Sequence, residues 1–222
     1  MKGKHQGLFI TFEGGEGSGK GAHTKLLHEY LKSKYDVISG REPGTTKIGE
    51  EIRKILQDPN KPELHPRLEL LLYEAARVNF IEEIVLPAIK QGKIFISDRF
   101  YDSTTAYQGA LGLDRNIIKI LNKFASFGLN PDLSFLIDIN AELGLGVLEG
   151  YEFREKLDKI ERRTLEYHKK VNQIYRQTAQ QNSRFRIIPY RYKKLDEMQK
   201  EIREYVDEFI TENNLECKLL KS

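Results

Sequence analysis

Short apolar runs alternate along the chain with longer segments in which apolar residues recur every three or four positions. This alternation is typical of a parallel β-sheet whose strands are connected by helices packed on its faces. Glycine, proline or charged residues flank each apolar run and mark its ends. The pattern therefore predicts an α/β fold with a five-stranded parallel sheet, whose strands are residues 8–12, 36–39, 94–97, 133–137 and 185–188.

The segments between the predicted strands have helical periodicity. Residues 64–91 carry apolar side chains at helical spacing, and Pro87 predicts a kink or break near the end of this helix. Asp114 is expected to cap a helix that ends near Gly128. Residues 144–151 bear glycines between two helical segments, a pattern shared by a mobile flap and a plain connector. A later charged helix is predicted from one apolar stripe, which comprises Leu157, Ile160, Thr164, Tyr167, Val171, Ile174 and Thr178.

Composition narrows the class of protein. The chain has 222 residues, which suits one α/β domain. Its 36 basic and 33 acidic side chains are intermixed, so charge alone does not favour binding to nucleic acid. The stretch before the first apolar run is polar, unlike a secretory signal, and the one cysteine, Cys217, cannot form an internal disulfide. We expect a cytoplasmic protein with neither nucleic-acid nor membrane partners.

A glycine-rich turn follows the first predicted strand and leads into a helix. From Glu13 the sequence reads Glu-Gly-Gly-Glu-Gly-Ser-Gly-Lys-Gly. Glycines allow successive backbone N–H groups to point at a ligand, and a helix N-terminus adds positive potential. The lysine would reach the terminal phosphates of a bound nucleotide. The predicted ATP-binding residues are Gly14, Gly15, Glu16, Gly17, Ser18, Gly19, Lys20, Gly21 and Ala22.

Gly21 is a departure from the phosphate-binding motif G-x-x-x-x-G-K-[ST], in which a hydroxyl at this position binds Mg²⁺. Thr24 is a poor replacement, because it lies one helical turn further on, about 5 Å along the axis. Water is expected to fill the position, since Mg²⁺ commonly keeps several waters. Asp98 directly follows the apolar run 94–97, where P-loop enzymes hold Mg²⁺ or its water shell. The sequence therefore predicts a Mg²⁺ site near Asp98.

Four blocks of sequence together resemble the thymidylate kinase family over nearly the whole chain. They are residues 12–20, residues 41–46 with 49–53, residues 70–77, and residues 98–109. The last block, Asp-Arg-Phe-Tyr-Asp-Ser-Thr-Thr-Ala-Tyr-Gln-Gly, is the most specific. The resemblance implies one P-loop nucleoside monophosphate kinase domain over residues 1–222, with a flap at about 141–155. It also implies a homodimer that uses Mg-ATP to phosphorylate dTMP.

The resemblance further implies roles for single residues. Arg53 and Arg99 correspond to clamps on the acceptor monophosphate, and Glu16 to the acid that accepts a hydrogen bond from the sugar 3′-hydroxyl. Tyr107 corresponds to the ring that fills the space of a 2′-hydroxyl, and Arg154 is the candidate flap arginine. The other implied dTMP contacts are Pro43, Tyr73, Arg77, Ser103 and Gln108. The implied catalytic residues are Lys20, Asp98, Arg99 and Arg154.

Several positions depart from the family pattern. Ala76, Asn79 and Phe80 stand where the family commonly has Asp, Gln and His. These changes leave open a kinase of another pyrimidine nucleotide, such as dUMP, or of a nucleoside. Gly21 and the lack of arginine in residues 143–150 leave open a nucleotide-binding protein without transfer activity.

Overall fold

Five parallel strands form one sheet in the computed structural model, which describes residues 7–150 and 157–213. The strands lie in the order β2-β3-β1-β4-β5, so the sequence-first strand is central. The predicted α/β sheet is confirmed, and each strand agrees with its predicted ends to within two residues. The strands are β1 Leu8–Glu13, β2 Val37–Arg41, β3 Ile94–Asp98, β4 Leu133–Asp138 and β5 Phe185–Pro189.

Helices connect the strands and cover both faces of the sheet. None of the helices in the described part of the chain is long and apolar enough to cross a membrane. The helices are α1 Lys20–Leu31, α2 Lys47–Gln57, α3 Pro66–Phe80, α4 Leu86–Lys90, α5 Tyr101–Ala110, α6 Arg115–Ala125, α7 Ala141–Glu149, α8 Leu165–Gln180 and α9 Leu195–Glu212.

Side chains of the central strand β1 alternate between two layers of core. Leu8, Ile10 and Phe12 are fully buried among residues of α1 and α9. On the other face, Phe9 packs in a cluster of aromatic and aliphatic residues from α3, α4 and the start of α5. Because side chains alternate along a strand, Glu13 lies on the same face as Phe9. The strand thus delivers a buried carboxyl group next to α5.

The helical segment predicted at residues 64–91 is interrupted before Pro87. A π-helical segment, Ile81–Val85, joins α3 to α4. Proline lacks the N–H that an α-helix needs and clashes with the carbonyl group four residues earlier. The wider π turn directly before Pro87 accommodates both effects, so the chain continues as α4. The helix itself begins at Pro66, later than predicted.

Side-chain caps set the starts of α6 and α7. Asp114 caps α6 as predicted, because its Oδ1 accepts from the backbone N–H groups two and three residues on, at 2.7 and 3.2 Å. Asn140 caps α7 in the same way, at 2.8 and 3.3 Å. The interpretation of residues 144–151 as a break between helices was wrong for residues 144–149, which belong to α7. Residues 151–156, with Arg154, lie outside the described residues.

The helix predicted from the stripe beginning at Leu157 starts eight residues later, at Leu165. Thr164 caps it by accepting from a backbone N–H at 3.3 Å. Ile160 precedes the helix in a turn, where Asp158 Oδ1 accepts from its backbone N–H at 2.8 Å. These two polar caps compete with helix continuation, and the apolar period alone does not reveal them. Buried stripe residues inside α8 are Tyr167, Val171 and Ile174.

Candidate active site

The glycine-rich turn between β1 and α1 closes around the side chain of Lys20. Its Nζ donates to the carbonyl oxygens of Gly14 and Gly15 at 2.9 and 2.8 Å, and to Ser18 Oγ at 3.1 Å. Gly14 and Gly17 have φ angles of 146° and 69°, which side chains disfavour. Burial lowers the pKa of Lys20 to about 8, and the nearby guanidinium of Arg99 acts in the same direction. These two effects outweigh the nearby acids, which favour the charged ammonium.

Lys20, Arg53 and Arg99 line one cavity at the mouth of this turn, which we call the phosphate cavity. Arg53 extends from α2, and its Nη1 donates to the carbonyl oxygen of Pro43 at 3.1 Å. Burial lowers the pKa of Arg53, and the charges of Arg41 and Arg99 lower it further. Such a cluster of cations repels itself until a polyanion joins it. Five acidic side chains line the same cavity, so its charges suit phosphate groups that bind together with a divalent cation.

Arg99 follows β3 and is held by Glu16 of the glycine-rich turn. Its Nη2 lies 2.7 Å from Glu16 Oε1, which also accepts from Tyr107 OH at 2.5 Å. The guanidinium carbon lies 4.9 Å from the centre of the Tyr107 ring. Burial favours the neutral acid, but Arg99 and Lys20 outweigh it and lower the pKa of Glu16 to about 2. Arg99 has a φ of 74°, a strained backbone conformation for a residue with a side chain.

A second cavity adjoins the phosphate cavity, and Glu16 and Arg99 line both. We call it the inner cavity. The structure places every predicted acceptor-binding residue except Arg53 along it. These predicted residues are Glu16, Pro43, Tyr73, Arg77, Arg99, Ser103, Tyr107 and Gln108. Sequence analysis missed the other lining residues, which are Glu42, Gln57, Phe100, Thr104 and Ile160.

Arg77 is a buried, ion-paired part of the inner cavity wall, with only 1% of its surface exposed. Its Nε lies 2.7 Å from Glu42 Oε1, and its Nη1 lies 2.7 Å from Glu74 Oε2 and 2.9 Å from Asn122 Oδ1. Its Nη2 donates to Thr104 Oγ1 at 2.7 Å. Burial opposes the charge, but Glu42 and Glu74 outweigh it and raise the pKa of Arg77. These contacts hold the guanidinium group in one position in the cavity wall.

The residues that depart from the family pattern face away from the inner cavity. Ala76 packs against apolar residues of α2. Phe80 lies in the core, with its ring centre 5.6 Å from that of Phe95. Asn79 Nδ2 donates to Glu83 at 2.7 Å on the surface. None of the three lines the inner cavity, so these changes do not favour a different acceptor.

Ser103 and the turn that presents Arg99 are anchored to Glu13, a residue that sequence analysis left without a role. Glu13 Oε2 accepts from Ser103 Oγ at 2.6 Å and from Tyr175 OH at 3.2 Å. Its Oε1 accepts from the backbone N–H of Phe100 at 2.8 Å. Burial, with a contribution from a neighbouring acid, raises the pKa of Glu13 to about 8. A charge at the end of an apolar strand was the signal available in the sequence.

Asp98 ends β3 beside the glycine-rich turn, as predicted. Its Oδ2 lies 3.2 Å from the position that a Cβ on Gly21 would take, and its buried Oδ1 has no hydrogen-bond partner in the described part of the chain. An unpartnered carboxylate oxygen in the phosphate cavity fits a hard cation such as Mg²⁺. No group of three or more His, Cys, Asp or Glu side chains that could hold a metal occurs among residues 7–150 and 157–213. A bound Mg²⁺ would therefore need ligands from nucleotide phosphates and water.

A third cavity lies on the other side of the glycine-rich turn, and sequence analysis did not predict it. Gly17, Ser18 and Gly19 line both this cavity and the phosphate cavity. Its far wall includes Arg191 and Tyr192, which follow β5 at the carboxyl end of the sheet. Parallel sheets bind ligands at that end, and the aromatic and basic run after the last strand was the available signal.

Helix α7 contacts the glycine-rich turn through Gly144. A Cβ at Gly144 would lie 2.3 Å from the carbonyl oxygen of Glu16, and a Cβ at Gly17 would lie 2.0 Å from that of Gly144. Such distances exclude any side chain at both glycines. The glycine that suggested a break in the helix is therefore required by packing against the glycine-rich turn.

Comparison with known proteins finds relatives over most of the chain. The family model for thymidylate kinase matches residues 12–202. The thymidylate kinase of Halothermothrix orenii is 44% identical over 177 residues, which are 79% of this chain and 85% of that protein. The thymidylate kinase of Carboxydothermus hydrogenoformans is 41% identical over 204 residues, which are 91% of this chain and 98% of that protein.

A solved structure agrees with these relatives. The crystal structure of thymidylate kinase from Ehrlichia chaffeensis matches with a TM-score of 0.74 and 32% sequence identity. The match covers 90% of this chain and 98% of the other. The order of strands, the glycine-rich turn and the two adjoining cavities thus occur in a chain that belongs to the thymidylate kinase family.

Proposed function

We propose that this chain transfers the γ-phosphate of ATP to dTMP, giving ADP and dTDP. Membership of the thymidylate kinase family supports the reaction. The observation that carries the proposal is that Lys20 shares one cavity with Arg53 and Arg99. Direct transfer requires donor and acceptor phosphates to meet in line, and such a cluster of cations holds both against their mutual repulsion.

The donor nucleotide occupies the glycine-rich turn. Its phosphates accept from backbone N–H groups at the start of α1 and from Lys20. Its base enters the third cavity, where Arg191 and Tyr192 offer cationic and aromatic surfaces. Asp98 would hold Mg²⁺, directly or through water, and the metal would neutralise charge on the phosphates.

The acceptor nucleotide spans the phosphate cavity and the inner cavity. Arg53 and Arg99 hold its monophosphate, a task suited to the planar fork of a guanidinium. Its base lies in the inner cavity beside Tyr73, Arg77 and Gln108. The family relation, together with this arrangement, supports thymine as the base.

Glu16 belongs to the glycine-rich turn of the donor site and also faces the acceptor. It lines both cavities, and its depressed pKa keeps the carboxylate ionised at neutral pH. An ionised carboxylate accepts a hydrogen bond from the 3′-hydroxyl of the acceptor sugar. Tyr107, bonded to the same carboxylate, occupies space beside the sugar and disfavours a 2′-hydroxyl.

A panel of acceptors tests the proposal. The purified chain is assayed for ADP release with dTMP, dUMP, UMP, dCMP and thymidine, and dTDP is identified directly. We expect dTMP to have the highest kcat/KM. A higher kcat/KM for any other acceptor would reject the substrate, and binding of both nucleotides without dTDP would reject the transfer reaction.

Replacement of Arg99 by alanine separates the two substrates. We expect Arg99→Ala to lower kcat/KM for dTMP by at least about 100-fold, because it removes a charged hydrogen-bonding partner in the transition state. Calorimetry should show that ATP still binds. Arg176→Ala is the control, because Arg176 forms a surface ion pair with Asp138 and is outside the described cavities. Equal losses in the two variants would contradict the role of Arg99.

Arg154 remains a prediction from the sequence, as the arginine that stabilises the transferring phosphate. Loss of such a side chain costs on the order of 10³ in rate in related chemistry. Arg154→Ala is expected to lower kcat by that order while leaving the affinity for dTMP unchanged. A rise in the dissociation constant for dTMP with kcat unchanged would assign the residue to binding instead.

We also propose that the chain forms a homodimer through α6. Exposed apolar side chains follow one another along this helix and just beyond it, and α6 packs on α3, which exposes Leu68 and Leu71. Contiguous apolar surface of this kind marks association sites. The exposed residues of α6 and its end are Ile117, Ile120, Phe124 and Phe127.

A further inference from the structure

Gln108 contributes a side-chain amide to the inner cavity, and that amide is bonded to a buried acid behind it. Gln108 lies in α5 with 1% of its surface exposed. Its Nε2 donates to Glu69 Oε1 at 2.7 Å. Glu69 lies in α3 and is itself 2% exposed, so this bond is shielded from solvent.

Glu69 is held in turn by Arg163, which precedes α8. Arg163 Nη2 lies 2.5 Å from Glu69 Oε2, and its Nη1 lies 3.2 Å from Oε1. Arg163 also donates to Tyr167 OH at 2.8 Å. The carboxylate therefore has a fixed position with one oxygen directed at Gln108.

A carboxylate offers acceptors only, whereas an amide offers a donor at one end and an acceptor at the other. Glu69 can therefore bond Gln108 in one orientation, with the amide nitrogen directed at the acid. No donor is bonded to Gln108 Oε1 within residues 7–150 and 157–213. The amide oxygen of Gln108 is left as the acceptor that a ligand in the inner cavity meets.

We propose that Glu69 is a specificity-determining positioning residue, which orients Gln108 so that its oxygen accepts the N3–H of a pyrimidine base. This inference rests on the proposed function of the inner cavity as the acceptor site. Thymine and uracil carry a hydrogen on N3, whereas cytosine has a bare lone pair there. Two acceptors facing each other in a closed cavity are unfavourable, so the orientation selects against cytosine.

Replacement of Glu69 by glutamine tests whether Glu69 orients the Gln108 amide, because the two side chains have almost the same shape. In Glu69→Gln, the shorter bond to Arg163 Nη2 holds the new carbonyl oxygen, and the new amide nitrogen faces Gln108. Gln108 must then turn its oxygen toward residue 69 and its nitrogen toward the base. We expect the ratio of kcat/KM for dTMP to that for dCMP to fall by about 10-fold or more, with the change mainly in KM.

Two further variants separate orientation from structural support. Arg163→Lys loosens the brace but keeps a cation beside the Glu69 carboxylate, so the ratio should stay within about 2-fold of wild type even if stability falls. Glu69→Met combined with Arg163→Met removes both charges and leaves no unpaired guanidinium, an exchange that is often tolerated. Without a partner the amide has no fixed orientation, and the ratio should lie between those of the wild type and Glu69→Gln.

The measurements distinguish this inference from the proposed function. Failure of the wild type to phosphorylate dTMP would reject the proposed function before any variant is compared. With an active wild type, equal losses for dTMP and dCMP in Glu69→Gln would show that Glu69 has a structural role only. If the double variant has the same ratio of kcat/KM for dTMP to that for dCMP as the wild type, Glu69 likewise has a structural role only. This result decides the question even if Glu69→Gln does not fold. Thermal denaturation of each variant with ADP bound monitors folding.

Discussion

Glu13 is a buried acid whose environment disfavours its charge. It anchors the turn that carries Arg99, through bonds from Phe100 and Ser103. Its pKa is raised from 4.5 to about 8, mainly by burial. Between these two pH values the folded protein holds a proton that the unfolded chain has lost. The free energy of unfolding therefore decreases as the pH rises through this window.

Glu13→Gln should remove this pH dependence. Glutamine keeps an acceptor for the Phe100 N–H and a polar contact to Ser103, but it does not titrate. Between pH 5 and pH 8 the free energy of unfolding of the wild type should fall by on the order of 1 kcal/mol or more relative to the variant. Denaturant titrations at several pH values measure the difference, which includes the effect of Glu13 on the neighbouring acid Asp102, whereas the titration of groups far from Glu13 cancels. Parallel curves would show that Glu13 stays ionised in the folded state.

Gly21 removes a hydroxyl ligand for Mg²⁺ from the protein in the proposed reaction. A Cβ at this position would lie 3.2 Å from Asp98 Oδ2, so a small side chain requires a shift of a few tenths of an ångström. Gly21→Ser adds a hydroxyl next to the proposed metal position and should lower the half-saturating Mg²⁺ concentration by about 5-fold, or about 1 kcal/mol. Gly21→Ala adds the same bulk without a ligand and should not lower it. Equal Mg²⁺ titrations of ATP binding for the two variants would exclude a role for the missing hydroxyl.

Residues within continuous motifs were predictable, whereas residues that act through distant partners were not. The glycine-rich motif indicated Lys20, and the family resemblance of two other blocks implied Arg53 and Arg99 as phosphate-binding residues; the structure places all three in one cavity. The sequence did not indicate Glu69, whose partner Gln108 lies 39 residues further along the chain. Nor did it indicate Glu13, whose partner Ser103 lies 90 residues further along. Only the packing of helices on the sheet brings such pairs together.

At the scale of elements, helix α7 and the glycine-rich turn form a close backbone contact. Gly144→Ala would place a Cβ 2.3 Å from the carbonyl oxygen of Glu16, which α7 can relieve only by moving away from the turn. We expect a loss of about 1 to 3 kcal/mol in stability and about 10-fold weaker ATP binding. Thermal denaturation and calorimetry measure the two effects.

Gly146 provides the matched control for stability, because it lies in the same helix and a Cβ there would have no atom within 4 Å. It lines the third cavity, so this control concerns stability and not ATP binding. Alanine has a higher helix propensity than glycine, so Gly146→Ala should stabilise the protein by up to about 1 kcal/mol. If Gly144→Ala lowers stability and Gly146→Ala raises it, the effect at Gly144 is due to the contact with the turn and not to helix propensity. Stabilisation by both would contradict the close approach.

The same two glycines explain why periodicity failed at this element. Glycine disfavours helices, so the sequence favoured an interruption, but Asn140 caps the helix and packing requires Gly144. At Pro87 the helix also continues where the sequence predicted a break, because the π-helical segment before it accommodates a residue that normally ends a helix. The central strands were predicted closely since buried parallel strands are continuous apolar runs with sharp polar ends, and the half-exposed edge strand β2 differs most from its predicted ends. Helix ends depend on caps and tertiary contacts, which apolar spacing does not encode.

At the scale of the whole molecule, α6 joins the proposed subunit interface to the inner cavity. One side of this helix exposes Ile120 and Phe124, with 66% and 78% of their surface accessible. Its other side buries Asn122, whose Oδ1 accepts from Arg77 and whose Nδ2 donates to Thr105 at 3.0 Å. A second copy packed on α6 would therefore hold in place the helix that supports Arg77.

Ile120→Glu combined with Phe124→Glu should convert the protein to a monomer. A twofold interface repeats each substitution on both subunits, so four like charges would face apolar surface or one another. Sedimentation should show about 25.8 kDa for the variant and twice that mass for the wild type. The control is Ile187→Glu on the edge strand β5, which should remain dimeric.

Because α6 also supports Arg77, the monomer should have a higher KM for dTMP and an unchanged affinity for ATP. A monomeric wild type would reject the homodimer, and a dimeric double variant would place the interface elsewhere.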